Sequence, residues 1–344
     1  MRVLAAASAA VFATVAISAQ PRPGNSTLTA VPGITVGHYT LAERPTGCTA
    51  ILIERGAIGG IDVRGAAPAT SETDLLAPEK MVQQIYGISL SGGSTFGLET
   101  RGGVVKYLEE KKIGVAYGGM RIPIVPAAAI FDLTVGDARI RPGADCGYRA
   151  ATAATANVVQ EGSVGAGAGA TLGKYLGFNR AMRSGIGSAS TTTADGTIIA
   201  ALVVANPLGD VVDPANGKIV AGVRKAQGSG FEDVRTLIRT GAARPASGGN
   251  TTLAVVATNA TLTKAQVSLL AQLGGDGVVR AVWPIHTVAD GDTTFALATG
   301  TKPGEPDMIV LGALAADVVS TAVIRAATQA TGLLPNLPAV RDLK

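Results

Sequence analysis

The stretch Gly248-Gly249-Asn250-Thr251-Thr252-Leu253 places a hydroxyl residue where a glycine-rich segment runs straight into an apolar, β-prone run. A cut before Thr251 would make that threonine an N-terminus. Its α-amine, with an unperturbed pKa of about 8, would then lie beside its own hydroxyl and take up that hydroxyl's proton. The preceding loop gives Thr251 the freedom to attack the Asn250 carbonyl and sever its own peptide bond. A threonine after an asparagine at a strand start is also ordinary structure, so the junction by itself leaves both readings open.

Other motifs carry less. Gly165-Ala-Gly167-Ala-Gly169-Ala170 fits a loose dinucleotide-binding pattern, but that fingerprint needs an acid about 20 residues on, and Ser184 to Ser190 holds none. A P-loop fails because Lys174 is followed by Tyr175 and position 168 is alanine. Gly92-Gly-Ser94-Thr-Phe96 has phenylalanine where a nucleophile elbow requires glycine, so it reads as a strand-to-helix turn. Glu109-Glu-Lys-Lys112 is a solvated helix end, and His286 reads as structural, with no serine or cysteine signature beside it. His38 and His286 are the only histidines, too few for a multi-histidine metal site. Neither a metal nor an organic cofactor is expected. Cys48 and Cys146 cannot make a disulfide framework; they read as two buried thiols, with a single bridge as the alternative.

The elements that must position Thr251 follow from patterning. Strands are expected at Ser26 to Val36, Thr49 to Glu54, Ala57 to Val63, Gly87 to Leu90, Ile186 to Ala189, Thr197 to Ala205, Lys218 to Val220, Thr251 to Thr258 and Thr293 to Ala298. Helices are expected from Thr73 to about Tyr86, Thr95 to Lys112, Ala150 to Gln160 and Phe231 to Arg239, with two more starting near Thr263 and Leu311. Gly241 to Asn250 has no periodicity and reads as a loop. Mixed strands and helices point to an α/β or α+β layered body.

Composition bounds the rest. With 344 residues, 47% hydrophobic and 16% charged, the chain can bury a large core, which excludes global disorder. Aromatics are only 4%, so that core is built from Ala, Val, Leu and Ile. The net charge of +4 is scattered, without Lys/Arg runs, and gives no support to nucleic-acid binding. Arg2, the apolar run from Val3 to Ile17, Ser18-Ala19 and then Gln20-Pro-Arg-Pro23 read as an export signal over residues 1–19. The mature protein is therefore expected to start near Gln20, periplasmic or secreted, with no membrane attachment after export.

Several separate stretches resemble the DmpA-like family of self-processing aminopeptidases, which includes the β-peptidyl aminopeptidases. They are Asp62-Val-Arg-Gly65, Glu72-Thr-Asp-Leu-Leu76, Ser91 to Leu98, Ala144-Asp-Cys-Gly-Tyr148, Gly162 to Thr171, Val203-Val-Ala-Asn206, Asn250 to Thr258 and Asp290 to Gly300. They run collinearly from about residue 30 to the C-terminus. The resemblance implies a four-layer α/β/β/α sandwich, similar in layering to the N-terminal nucleophile hydrolases. It implies one catalytic domain, cut into a large chain (20–250) and a small chain (251–344) that stay together as a homotetramer of two-chain units. The implied substrates are short peptides, amides or esters, from which N-terminal residues are released.

The resemblance also assigns roles. Thr251 takes the nucleophile position, where several relatives carry serine, and Asn206 the oxyanion-stabilising position. Asp290 and Asp292 fall on a pair near the nucleophile that is hydroxyl or acidic in relatives. Asp132 and Tyr148 are implied pocket residues, Asp132 as a partner for the substrate's ammonium. Two rival readings remain: an ornithine acetyltransferase-like acyl transferase, against which the export signal argues, and a non-catalytic binding protein on the same fold.

Overall fold

The structure, a computed structural model, describes residues 24–227, 229–242, 249–332 and 336–343. The leader read at residues 1–19, and most of the loop before Thr251, lie outside the described residues. The principal sheet has nine strands: β1 (Thr35–Thr40), β2 (Gly47–Val63), β3 (Thr70–Ser71), β4 (Gln84–Ser91), β5 (Ala127–Ala129), β6 (Ile186–Thr192), β7 (Ile198–Asn206), β8 (Thr251–Ala260) and β9 (Thr293–Lys302). They run in the order β6-β7-β8-β9-β2-β4-β5-β3, with β1 also paired to β2. The helices are α1 (Thr100–Glu110), α2 (Ala144–Thr152), α3 (Val234–Thr240), α4 (Lys264–Ala281) and α5 (Met308–Thr328).

The strand β2 is long enough to serve two layers. Its register against β4 shifts between Leu52 and Ala57. Its first half pairs with β1, and its second half with β9. The sequence reads as two strands there because Arg55-Gly56 interrupts the pattern; Gly56, at φ +76°, instead lets one strand bend. The sheet thus folds over itself, and strands β7, β8 and β9 are apolar on both faces. Ile199, Ala201, Val203, Ala254, Val256 and Ala296 face a core shared with α4 and α5. Their alternates Ala200, Leu202, Val204, Leu253, Val255 and Phe295 face Ile51, Ile53, Ile88 and Leu90 across the sandwich. A third core packs α1 and α2 on Cys48, Ala50 and Leu52. The result is the four-layer α/β/β/α sandwich expected. The small residues that dominate the composition act at the helix layer: a Cβ on Gly277 of α4 would lie 2.3 Å from the Ala316 carbonyl of α5.

Two expectations are corrected. The helix expected over Thr73 to Tyr86 is a single 3-10 turn, Asp74–Leu76, and the chain enters β4 by Gln84. The Lys264 ammonium at the head of α4 donates to the carbonyls of Leu75, Lys80 and Val82, at 2.8, 3.0 and 2.8 Å. A remote cation thus satisfies carbonyls that a helix would otherwise have bonded internally. Cys48 and Cys146 are not thiols but a disulfide, with Cα atoms 6.1 Å apart across 98 residues. Both face the third core, where β2 and α2 touch. Smaller shifts occur elsewhere. The first expected strand is a 3-10 turn, Leu28–Ala30, followed by β1, and the helix expected at Ala150 to Gln160 is α2, about a turn and a half earlier.

Candidate active site

Thr251 is the first residue of β8, which lies between β7 and β9 in the middle of the sheet. Its antiparallel partner across β7 is Asn206, the last residue of that strand. On the other side, β8 runs parallel to β9, and one step before the strand Asn250 bridges Asp290. Topology therefore brings Asn206, Asn250, Thr251, Asp290 and Asp292 to one end of three adjacent strands, and all five are buried. The turn before β9 is pinned from the far end of β2. Arg64 and Gly65 donate backbone N–H groups to the Asp292 carbonyl, and Ala67 donates to that of Asp290.

The Thr251 hydroxyl donates to the carbonyl oxygen of Asn250, the residue before it, at 2.5 Å. That oxygen also accepts the N–H of Gly291 at 2.9 Å. Asp292 anchors the start of β8: its Oδ1 accepts the Thr252 N–H at 2.5 Å. Its Oδ2 accepts the His286 N–H at 3.0 Å and lies 2.9 Å from that ring's Nδ1. Asp290 accepts the N–H and hydroxyl of Thr287 through Oδ2. Its Oδ1 is buried with no hydrogen-bond partner among the described residues. Burial first, and the Asp292 charge second, raise the Asp290 carboxyl above the ordinary range.

Lys174 completes the cluster. The N–H groups of Gly173 and Lys174 are held by the Gly209 and Leu208 carbonyls, just beyond β7. From there its ammonium donates to the Asn206 carbonyl (3.0 Å), Asn206 Oδ1 (3.1 Å) and the Gly249 carbonyl (3.3 Å). Loss of hydration lowers its pKa to about 7, against the opposing pull of Asp290 and Asp292. A lysine that changes charge near neutrality can take up and release a proton. Sequence reasoning met Lys174 only as the residue that failed a P-loop. No spacing marks it, since its partners come from β7 and from the chain before β8. His286, read as structural, is a partner of Asp292.

The structure does not bring Asp132 and Tyr148 into this cluster. Asp132 is buried in an ion pair with Arg44 at 2.8 Å, and also accepts from Thr46 (2.6 Å) and the Gly93 N–H (2.8 Å). Its oxygens are thus committed to partners inside the protein. Its neighbour Phe131 does reach the site, offering its carbonyl to Asn206. Tyr148 lies on the outer helix layer, donating to Glu110 at 2.7 Å and packed edge-on against Tyr107. A cavity of about 190 Å³ at the opposite end of β7 to β9, between Asp195, Lys302 and Asp307, is remote from Thr251.

The family model for peptidase family S58 matches residues 26–334. The chain belongs to peptidase family S58. This S58 chain is 40% identical over 303 residues to an uncharacterized aminopeptidase of Mycobacterium leprae, covering 81% of this chain and 79% of the relative. It is 31% identical over 312 residues to a 6-aminohexanoate-oligomer endohydrolase of Kocuria sp., covering 86% and 84%. In fold it is similar to a Burkholderia sp. β-aminopeptidase, with a TM-score of 0.67 at 22% identity over 92% and 93% of the two chains. It is equally similar to the L-aminopeptidase D-Ala-esterase/amidase of Ochrobactrum anthropi, described as a variant of the Ntn hydrolase fold, with a TM-score of 0.67 at 17% identity over 91% and 90%. As an S58 member the protein is a peptidase, hence a hydrolase, and the aminopeptidase class expected from its sequence stands.

Proposed function

We propose that this S58 peptidase activates itself by cutting between Asn250 and Thr251 and then uses Thr251 as an N-terminal nucleophile. The observation that carries the reading is the Thr251 hydroxyl, buried at the head of a central strand and bonded to the carbonyl of the peptide it would cut. The Thr251 oxygen attacks the Asn250 carbonyl carbon, its proton passes through Lys174 to the Thr251 nitrogen, and the C–N bond breaks to leave an ester. Water then hydrolyses the ester, releasing the Asn250 carboxylate and restoring the hydroxyl. In the cut enzyme the same oxygen attacks the first carbonyl of a short peptide, amide or ester, with the new α-amine as base. Asp290 and Asp292 shape the field around that amine, and Asn206 holds Lys174. The named activities of the relatives make amides of α-, β- and longer amino acids the substrates to screen.

We further propose an exported protein, since the N-terminal pattern and a buried disulfide both suit an oxidising compartment. Assembly as a homotetramer of two-chain units rests on the resemblance alone. The decisive experiment is a denaturing gel with N-terminal sequencing. Two bands are expected, the smaller starting Thr-Thr-Leu-Ala. Thr251→Ala is expected to leave one inactive band, and Thr251→Ser to cut. An active, intact chain would refute the mechanism and favour a nucleophile elsewhere.

A further inference from the structure

The resemblance gives the oxyanion to Asn206, and the backbone geometry adds a second donor. Along a strand, successive carbonyls face opposite neighbours. Thr251 pairs with Asn206 across β7, and the Asn250 carbonyl and Thr252 N–H on either side of it turn away from β7, so its own N–H and C=O face β7. Residues 250 and 252 face the other way, toward β9. The Thr252 N–H accordingly meets Asp292, and the Asn250 carbonyl meets the Gly291 N–H at 2.9 Å. Asn206 lies on the β7 side. Its Oδ1 accepts from the Thr171 N–H (3.0 Å) and from Lys174, which fixes the orientation of the amide, and one hydrogen of its Nδ2 goes to the Phe131 carbonyl (3.1 Å), leaving the second.

We infer that the backbone N–H of Gly291 is an oxyanion donor in its own right, first in self-cleavage and then in substrate hydrolysis, in addition to the amide of Asn206. This rests on Thr251 being the nucleophile. When its oxygen attacks, the Asn250 carbonyl oxygen takes on negative charge while already within 3 Å of a fixed N–H, the range in which such donors act. The donor cannot rotate away, because the chain on both sides of it is pinned by Ala67, Gly65 and the Asn250 bridge. The residue type follows from the same geometry. A Cβ at position 291 would lie 2.9 Å from the Thr251 hydroxyl oxygen and 2.6 Å from the Ala67 carbonyl. Only glycine brings its backbone this close to both the nucleophile and its target. A substrate's first carbonyl, attacked by the same hydroxyl, points its oxygen at the same N–H.

The test removes one hydrogen. Cell-free synthesis with glycolate in place of Gly291 turns the 290–291 amide into an ester, which deletes that N–H and weakens the Asp290 carbonyl that Ala67 bonds; lactate in place of Ala67, which breaks the same bond from its donor side, is the control. Self-cleavage should slow by roughly 10²–10³, the effect of losing one oxyanion donor, with kcat of the cut fraction falling alike and KM within a few-fold. Rates within threefold of the all-amide chain would overturn the inference. A second measurement uses the unaltered enzyme labelled with 15N-glycine. A peptide boronic acid, which forms a tetrahedral adduct on the nucleophile, should move the Gly291 amide proton downfield as its hydrogen bond shortens. An unmoved signal with the adduct formed would also overturn it. If the all-amide chain never cuts itself, the Thr251 reading has failed instead, so the two failures are distinct.

Discussion

Replacing Lys174 with methionine tests the proton relay. Methionine keeps much of the side chain's reach and loses every donor. Three acceptors, two of them on Asn206 and one on Gly249, lose their cation. Asp290, which the Lys174 charge holds down, moves further toward its neutral form. Loss of a general acid–base group costs about 10²–10⁴ in rate, so cutting should slow by about that factor on a time course of cell-free product run on denaturing gels. The pH profile fixes the cause. A base works only when unprotonated, and burial places the Lys174 pKa at about 7. Its neutral fraction then climbs from about one-tenth at pH 6 to about nine-tenths at pH 8, so wild-type cutting should rise about tenfold over that range and flatten above it. Lys174→Arg separates base from anchor, since arginine can still donate but stays charged throughout. A methionine variant that cuts within threefold of wild type, or a flat wild-type profile from pH 6 to 8, would refute the assignment.

Reducing the Cys48–Cys146 bond, or changing both residues to serine, should lower stability by about 2–5 kcal/mol, read as a drop in Tm. Both cysteines precede Thr251, so the cut protein should give two bands without reductant; a single band under those conditions would require another covalent link. Asp132→Ala should destabilise the fold by about 3–5 kcal/mol, because it strands the buried Arg44 charge. The preference for free over N-acetylated dipeptides should not change in any folded Asp132→Ala protein, and a collapse of that preference would return Asp132 to the substrate site.

Legibility in the sequence followed the range of the forces involved. The runs that became β7 and β8, and the helical periodicities of α4 and α5, were readable because each element buries its own apolar residues in an unbroken pattern. The false helix at Thr73 carried a plausible cap, and nothing local reveals that Lys264, almost 190 residues on, satisfies those carbonyls. Likewise the disulfide depends on β2 meeting α2, which no spacing encodes. At the site, the Asn-Thr junction was visible as chemistry, and the resemblance supplied Asn206, Asp290 and Asp292. Lys174 and Gly291 escaped notice, one because its partners are scattered along the chain, the other because its contribution is a backbone N–H and a missing side chain. For Asp132, which the resemblance alone singled out, nothing local reveals the Arg44 guanidinium that holds it from 88 residues away.

The placement of β8 and β9 between β7 and β2 has a consequence for the life history of the molecule. A break before Thr251 would leave the small chain's two central strands laced on both flanks to the large chain, so the pieces could part only by unzipping the middle of the sheet. Folding of the newborn polypeptide is a one-molecule event, whereas renaturation of the severed protein would need two pieces to find each other in solution, at a rate set by their concentration. Maturation would therefore act as a ratchet. The cut enzyme would owe its persistence to a slow rate of opening rather than to ready refolding, and a single heat shock would be remembered as permanent loss.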